Sequence, residues 1–349
     1  MEKGRAAGPD TAPSPLRLRG GFLSRIAAAL LAVVLASSAR WSAAAPPPGL
    51  RIKAPLARLD VALQGQLPQS PETAMVYKIV YPEVGESYIT RLATAFGLDP
   101  ATSRQGETVA LSRGPLSLEV YPQTGAFWFK DAERLWQPEG SAPAEEAGIA
   151  LAGHFLATHG LLPGEALFEG TGHSQLTTYD VATATSTVVD TDLHVNYRLH
   201  INGVPVEGPG GKIKVYLGEG NRIIGLYWAA FEVAASQAYP IITPGQALSY
   251  LRQDGIATTV KEPQAATVTQ TTLTYLAGPG TEAQETLEPV YRFSGVVTGA
   301  TGVADAGAAD AAGAADAMEE QSFVQYVPAV VGRYRPIAGP EPAIGERER

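Results

Sequence analysis

Histidine is the side chain here with the most evident chemical potential, because imidazole ligates metals and moves protons near neutral pH. All five histidines, His154, His159, His173, His194 and His200, fall in one part of the chain. His194 and His200 share one face of an alternating run, yet residues i and i+6 along a strand stand about 20 Å apart at ~3.3 Å per residue. One ion cannot bridge them. His154 and His159 are five apart, with Phe155 where a zinc-protease H-E-x-x-H helix carries its glutamate. His194 and His200, with His173 upstream, therefore read as parts of a solvated polar sheet face, and no metal ligand set is assigned.

The run Gly208-Pro209-Gly210-Gly211-Lys212 has the composition of a phosphate loop. It lacks the G-x-x-x-x-G-K-S/T spacing and opens no helix, so its backbone N–H groups would not converge on an anion. A flexible hairpin turn is expected instead. No serine sits in a G-x-S-x-G elbow. Asp190 and Asp192 read as solvated charges at a strand-edge turn, and Asp305, Asp310 and Asp316 lack EF-hand spacing. Cysteine is absent, which excludes disulfides, thiolate zinc sites and cysteine nucleophiles. No catalytic residue, cofactor or metal is predicted, and the chain reads as a non-enzyme.

The aromatic residues carry more. Phe127, Trp128 and Phe129 are consecutive, so in a strand at least one ring faces away from the others. Tyr227 and Trp228 form a similar pair. These rings either fill a sheet covered by helices or line an exposed groove for a peptide or glycan. Arg198 and Asn202 flank the Asn-Gly-Val-Pro-Val turn and would supply polar contacts to such a groove. Candidate contacts are thus Arg198, Asn202, Phe127, Trp128 and Trp228.

The elements that would position them follow from periodicity. Residues 74–82, 107–113, 116–122 and 125–131 read as strands, and 83–98 as a helix with Tyr88, Leu92, Ala95 and Phe96 on one face. This is a small β-α-β-β-β unit, assigned to 72–138. A second helix over 142–163 follows, with Ser141 as candidate N-cap and Glu145 and Glu146 near its positive end. Residues 175–182, 185–203, 212–217 and 222–228 read as strands. Val195, Tyr197, Leu199 and Ile201 alternate with polar neighbours. A third helix over 242–256 starts at Thr243-Pro244. Strands return at 267–277, 287–297 and 322–331. Between the last two, the Ala/Gly/Asp-rich run 298–321 reads as a solvated loop insertion, and 336–349 as a flexible tail.

The chain has 349 residues, 45% apolar and 17% charged, enough for a sizeable core in one large or two modest domains. Its net charge of −9 argues against a nucleic-acid partner. Basic residues precede the uncharged run 26–39, and Ser37-Ser38-Ala39 offers small residues to a signal peptidase. The run is shorter than the ~20 residues of a spanning helix. Residues 1–45 therefore read as a signal peptide or N-terminal membrane anchor, and 46–71 as a Pro/Ala-rich linker. Both readings place the remainder outside the cytoplasm. Membrane contact is expected only through 26–39, if uncleaved.

Residues 145–331 resemble the PepSY and fungalysin–thermolysin propeptide superfamily of small secreted bacterial domains. The resemblance rests on "YRLHINGVPVEGPGGKIKVYLGEGNRIIGLYW", then "PIITPGQALSYL", then "LTYL", "LEPVYRFSG" and "FVQYVPAV". No protease domain follows. The layout of membrane segment, spacer and tandem modules also resembles that of extracellular regulators of bacterial cell-wall sensor kinases. The resemblance implies an α+β fold with antiparallel sheets each packed by a helix, PepSY/cystatin-like, as two units in tandem (72–138 and 142–335). It implies a non-enzymatic, extracytoplasmic protein-binding module, inhibitory or regulatory towards a protease or a cell-envelope sensor protein. The aromatic pattern supports an alternative, a cell-wall glycan or peptide-ligand module; a hydrolase with an unrecognised site is the third class. Nothing in the sequence sets an oligomeric state.

Overall fold

The computed structural model describes residues 55–100, 103–105, 107–137, 142–181, 183–300 and 318–332. The leader at 26–39, the centre of the low-complexity insertion and the tail from Pro336 lie outside the described residues.

Three α-helices form in the three regions where periodicity predicts them, while Ser141, the expected cap of the second, lies outside the described residues. Helix α1 (Glu86–Phe96) turns Tyr88, Ile89, Leu92, Ala93 and Phe96 inward and stops at Gly97, whose left-handed φ of 65° suits glycine. Helix α2 (Glu145–Thr158) starts after Ala144, with no side-chain cap, and carries Glu145 and Glu146 in its first turn. Helix α3 (Pro244–Asp254) has a complete capping box between Thr243 and Gln246, with proline at its start.

Strands β1 (Leu56–Ala57), β2 (Asp60–Leu63) and β3 (Thr73–Val80) precede α1. Strands β4 (Ser103–Gln105), β5 (Thr108–Arg113), β6 (Leu116–Val120) and β7 (Phe127–Asp131) follow it. After α2 come β8 (Ala166–Gly172), β9 (Gln175–Asp180), β10 (Thr185–Asp190), β11 (Leu193–Ile201) and β12 (Val204–Glu207). Then come β13 (Lys212–Gly218), β14 (Arg222–Trp228) and β15 (Glu232–Pro240). After α3 lie β16 (Ile256–Ala257), β17 (Pro263–Leu276), β18 (Thr286–Ala300) and β19 (Met318–Pro328).

The expected tandem of two small α+β units is not what forms. Fifteen strands join one mixed sheet in the order β15-β3-β18-β17-β12-β11-β13-β14-β7-β6-β5-β4, with β19 on β18, β2 on β17 and β8 on β11. Most pairs are antiparallel, but β12 and β2 each run parallel to β17. Strands of the supposed first unit are built into the second: β7 pairs with β14, and β3 sits between β15 and β18. One apolar core accordingly runs from Tyr77 through Phe127 and Leu156 to Leu226 and Leu287. At the junction Phe127 and Trp228 stack nearly parallel, centroids 5.6 Å apart. This is core packing rather than a domain boundary. Alternation within β3 and β7 was legible in the sequence, but strand partners are non-local and carry no local signal.

The stretch read as a linker is also partly built in. Strand β2 pairs with β17, and Val61 is buried. Val61 belongs to a second apolar core, in which Ala247, Leu248 and Leu251 of helix α3 cluster with Phe293, Val297 and Phe323. Helix α2 lies close on β11: a Cβ on Gly148 would come within 2.4 Å of Leu193 Cδ2.

Candidate functional site

Helices α1 and α2 cover one face of the central sheet; the opposite face, termed the open face, carries side chains that range from half-buried, as at Trp128, to buried, as at Tyr216. Period-2 alternation decides which residue faces which way. Along β11, Leu193, Val195, Tyr197 and Leu199 enter the covered core, leaving His194, Asn196 and Arg198 on the open face. Along β13, Ile213, Val215 and Leu217 go in, leaving Lys212, Lys214 and Tyr216. Register aligns the open-face residues into rungs. One crosses five strands as Glu119, Trp128, Tyr227, Lys214 and Asn196. The next runs Ser117, Lys130, Gly225, Tyr216 and His194.

Aromatic rings form the centre of this face. Half-buried Trp128 meets Tyr216 and Tyr227 edge-on, with centroids 5.4 and 6.1 Å away. Gly225 leaves room for this packing: a Cβ there would meet Leu135 and Tyr216 at 3.1 and 3.2 Å. Leu135, Tyr216 and Ile224 make a small apolar cluster beneath Trp128. Burial pushes the Tyr216 hydroxyl pKa well up and that of Tyr227 up to about 12, the latter while its hydroxyl donates to the Pro209 carbonyl at 3.2 Å. Both stay neutral hydrogen-bonding groups at physiological pH.

Charged groups frame the rings. Lys130 pairs with Glu119 at 3.0 Å. The Lys214 ammonium stands 4.8 Å from the Tyr216 centroid, a cation–π contact. Burial lowers its pKa to about 8 against the opposing pull of Asp192. Lys212 also falls to about 8, by burial first and then by repulsion from Arg198, opposed by Glu169 and Glu207. The Asn196 amide donates to the Gly170 carbonyl at 3.3 Å.

Two polar networks close the ends of this face. At one, Asp192 is fully buried; its carboxylate accepts from the Ser174 N–H at 3.2 Å and lies 3.2 Å from His194 Nδ1. Burial lowers the His194 pKa more than the Asp192 hydrogen bond raises it. His173 Nδ1 lies 2.7 Å from the Asp192 carbonyl. Asp192 is thus a structural centre and not the solvated turn charge expected from sequence. At the other end Arg198 pairs with Glu169 and Glu207 and donates to the Val206 carbonyl at 2.9 Å. Arg292 and Tyr326 approach Glu207 from β18 and β19.

These partners show what Arg198 does. Glu169 sits at a bulge in β8, and Val206 and Glu207 belong to an excursion of the chain that pairs with β17. The run 208–211, expected to be a hairpin turn, is part of that excursion. A Cβ on Gly208 would meet the Ala277 carbonyl oxygen at 2.3 Å, and one on Gly210 the Gly278 oxygen at 2.5 Å. These glycines permit backbone-to-backbone approach, and Arg198 fills the space the two irregularities enclose.

Of the predicted contact residues, Trp128 and Arg198 lie on the open face, and of these only Trp128 is accessible there. Phe127 and Trp228 point into the covered core, and Trp228 Nε1 donates to the Leu161 carbonyl at 2.8 Å. Arg198 is a buried clamp. Asn202 and Gly203 have positive φ, 51° and 80°, as a two-residue primed turn requires, and the Asn202 amide donates to Tyr77 Oη at 2.8 Å. The aromatic groove expected from all five residues therefore does not form. Sequence reasoning missed Tyr216, Lys214, Asn196 and Lys130, whose signal was their alternation with core residues. Among the described residues no group of three His, Asp or Glu side chains is placed to hold a metal.

No family model matches the sequence, and no curated protein matches it. Among solved structures, an uncharacterized protein from Eubacterium rectale ATCC 33656 aligns with a TM-score of 0.44 at 11% identity, covering 76% of this chain and 87% of that one.

Proposed function

We propose that this chain is a non-enzymatic, extracytoplasmic protein-binding module that docks a regulatory partner, a protease or a cell-envelope sensor protein, on its open sheet face. The observation that carries the reading is the rung Glu119-Trp128-Tyr227-Lys214-Asn196. Protein interfaces favour an anchored aromatic centre within a polar rim, on surfaces without a deep cleft. The extracytoplasmic placement rests on the basic and apolar leader, and the regulatory role on the resemblance to propeptide-like domains. A second reading, glycan binding, is favoured by the Trp128 ring sharing its rung with the Lys214 ammonium two strands away and the Asn196 amide three strands away.

The test is capture from an extracytoplasmic fraction with the full chain and with Trp128→Ala. Retention of a defined protein by the parent, lost in the variant, supports the proposal. Retention on cell-wall glycan without a protein partner supports the second reading. Equal capture by both chains refutes the assignment to this face.

A further inference from the structure

The arm formed by β9 and β10 takes no part in the open face. It continues the β8–β11 ladder beyond Gly172 and His194 as a separate two-stranded ribbon. All six residues of β10 are exposed. Exposed large apolar side chains concentrate here: Val181 is 73% exposed, Val188 54% and Tyr179 48%, with Leu167 and Phe168 on neighbouring β8. Such clustering on a soluble surface marks an interaction site. A ribbon without a third strand is only marginally stable by itself.

Proteins guard free strand edges with lysine, proline or bulges. Strand β8 has such a guard, the bulge at Glu169 and Gly170. Strand β9, on the same outer side of the sheet, has none: Gln175–Asp180 contains no proline, lysine or arginine, and its register with β10 is unbroken. Its residues are rich in β-branched and aromatic types, which suit a ladder. Charge then selects the partner. Between Leu135 and Tyr197 the chain has no Lys or Arg, and Glu145, Glu146, Glu165, Asp180 and Asp190 are exposed. Helix α2 brings part of that charge to the edge, since Glu145 accepts from the Thr171 hydroxyl on β8.

We infer that the outer edge of β9 accepts an extended, basic segment of a partner protein as an added strand. The main chain supplies the ladder, and alternate side chains meet the acidic surface. A second copy of this chain fits poorly, because it brings the same acidic edge. The inference shares with the proposed function only the premise that the ligand is protein.

The test is amide hydrogen exchange on the full chain with an acetylated, amidated heptapeptide alternating valine and lysine, and with a valine–glutamate control. Slowed exchange at alternate amides of 175–180 is expected with the basic peptide alone. Its affinity should fall at least tenfold in Tyr179→Lys and weaken with added salt. Trp128→Ala should bind it unchanged, which separates this edge from the open face. Absent protection at 175–180, or equal binding of the control, overturns the inference. If protection fails while Trp128-dependent protein capture persists, the edge is refuted and the function stands; the converse outcome refutes the face and leaves the edge.

Discussion

Replacing Arg198 with methionine tests how the two irregular segments beside β11 are held. The Arg198 side chain is 4% exposed, and its partners Glu169 and Glu207 are 14% and 19% exposed. Removing one partner of a buried ion pair costs about 3–5 kcal/mol, because the remaining charge is left desolvated. The Val206 carbonyl also loses a donor, a penalty of about 1–3 kcal/mol that overlaps the first. A net loss of about 4 kcal/mol is expected, a large part of the ~5–15 kcal/mol stability of a folded domain. Urea unfolding at neutral pH measures it. Adding Glu169→Gln to the variant should recover part of the loss, since one buried carboxylate becomes neutral. Lys212 gives an independent readout: without Arg198 its pKa should rise from about 8, because a repelling neighbour is gone while both acids remain. A loss under ~1 kcal/mol is the behaviour of an exposed pair and would refute the clamp.

Other outcomes follow from the same geometry. Lys212 and Lys214 have folded pKa values near 8, below the ordinary value of 10.5. The unfolded chain therefore binds more protons between these values, and stability should rise from pH 8 towards pH 10; thermal melts check this, and Lys214→Met should flatten the slope. The His194 pKa is lowered from 6.5, so the unfolded chain protonates first and stability should fall as pH drops below 6.5. A His194→Gln variant should show a shallower decline in the same melts. Gly295→Ala should destabilise by several kcal/mol in denaturant titration, because its Cβ would sit 1.9 Å from the Thr267 carbonyl oxygen on the paired strand. Asn202→Ala should cost about 1–3 kcal/mol, from the left-handed backbone and the lost bond to Tyr77.

Local features were readable from the sequence because they are set by local physics. The stripe of α1, the Thr243 cap of α3 and the alternation of β11 all match their elements. Strand β15 was missed, since residues 232–240 are mostly exposed and lack a clear apolar alternation. The joining of β7 to β14 and of β3 to β15 is non-local, and nothing in either run names its partner. The site shows the same divide. Three consecutive aromatics told that one ring must differ from its neighbours, and Trp128 does. Which ring faced the open side depended on where helices α1 and α2 packed. Arg198 and Asn202 drew attention as polar residues near a turn, but burial gave Arg198 a structural role, and the turn backbone with the bond to Tyr77 gave Asn202 one.

The Trp128 side of the sheet is the surface proposed to meet a protein. A photo-reactive side chain at position 128 of the full chain, with a control at Val80, exposed elsewhere on the sheet, tests this. A discrete protein adduct is expected from position 128 and none from position 80. No protein adduct from position 128, or the same adduct from both positions, would contradict it.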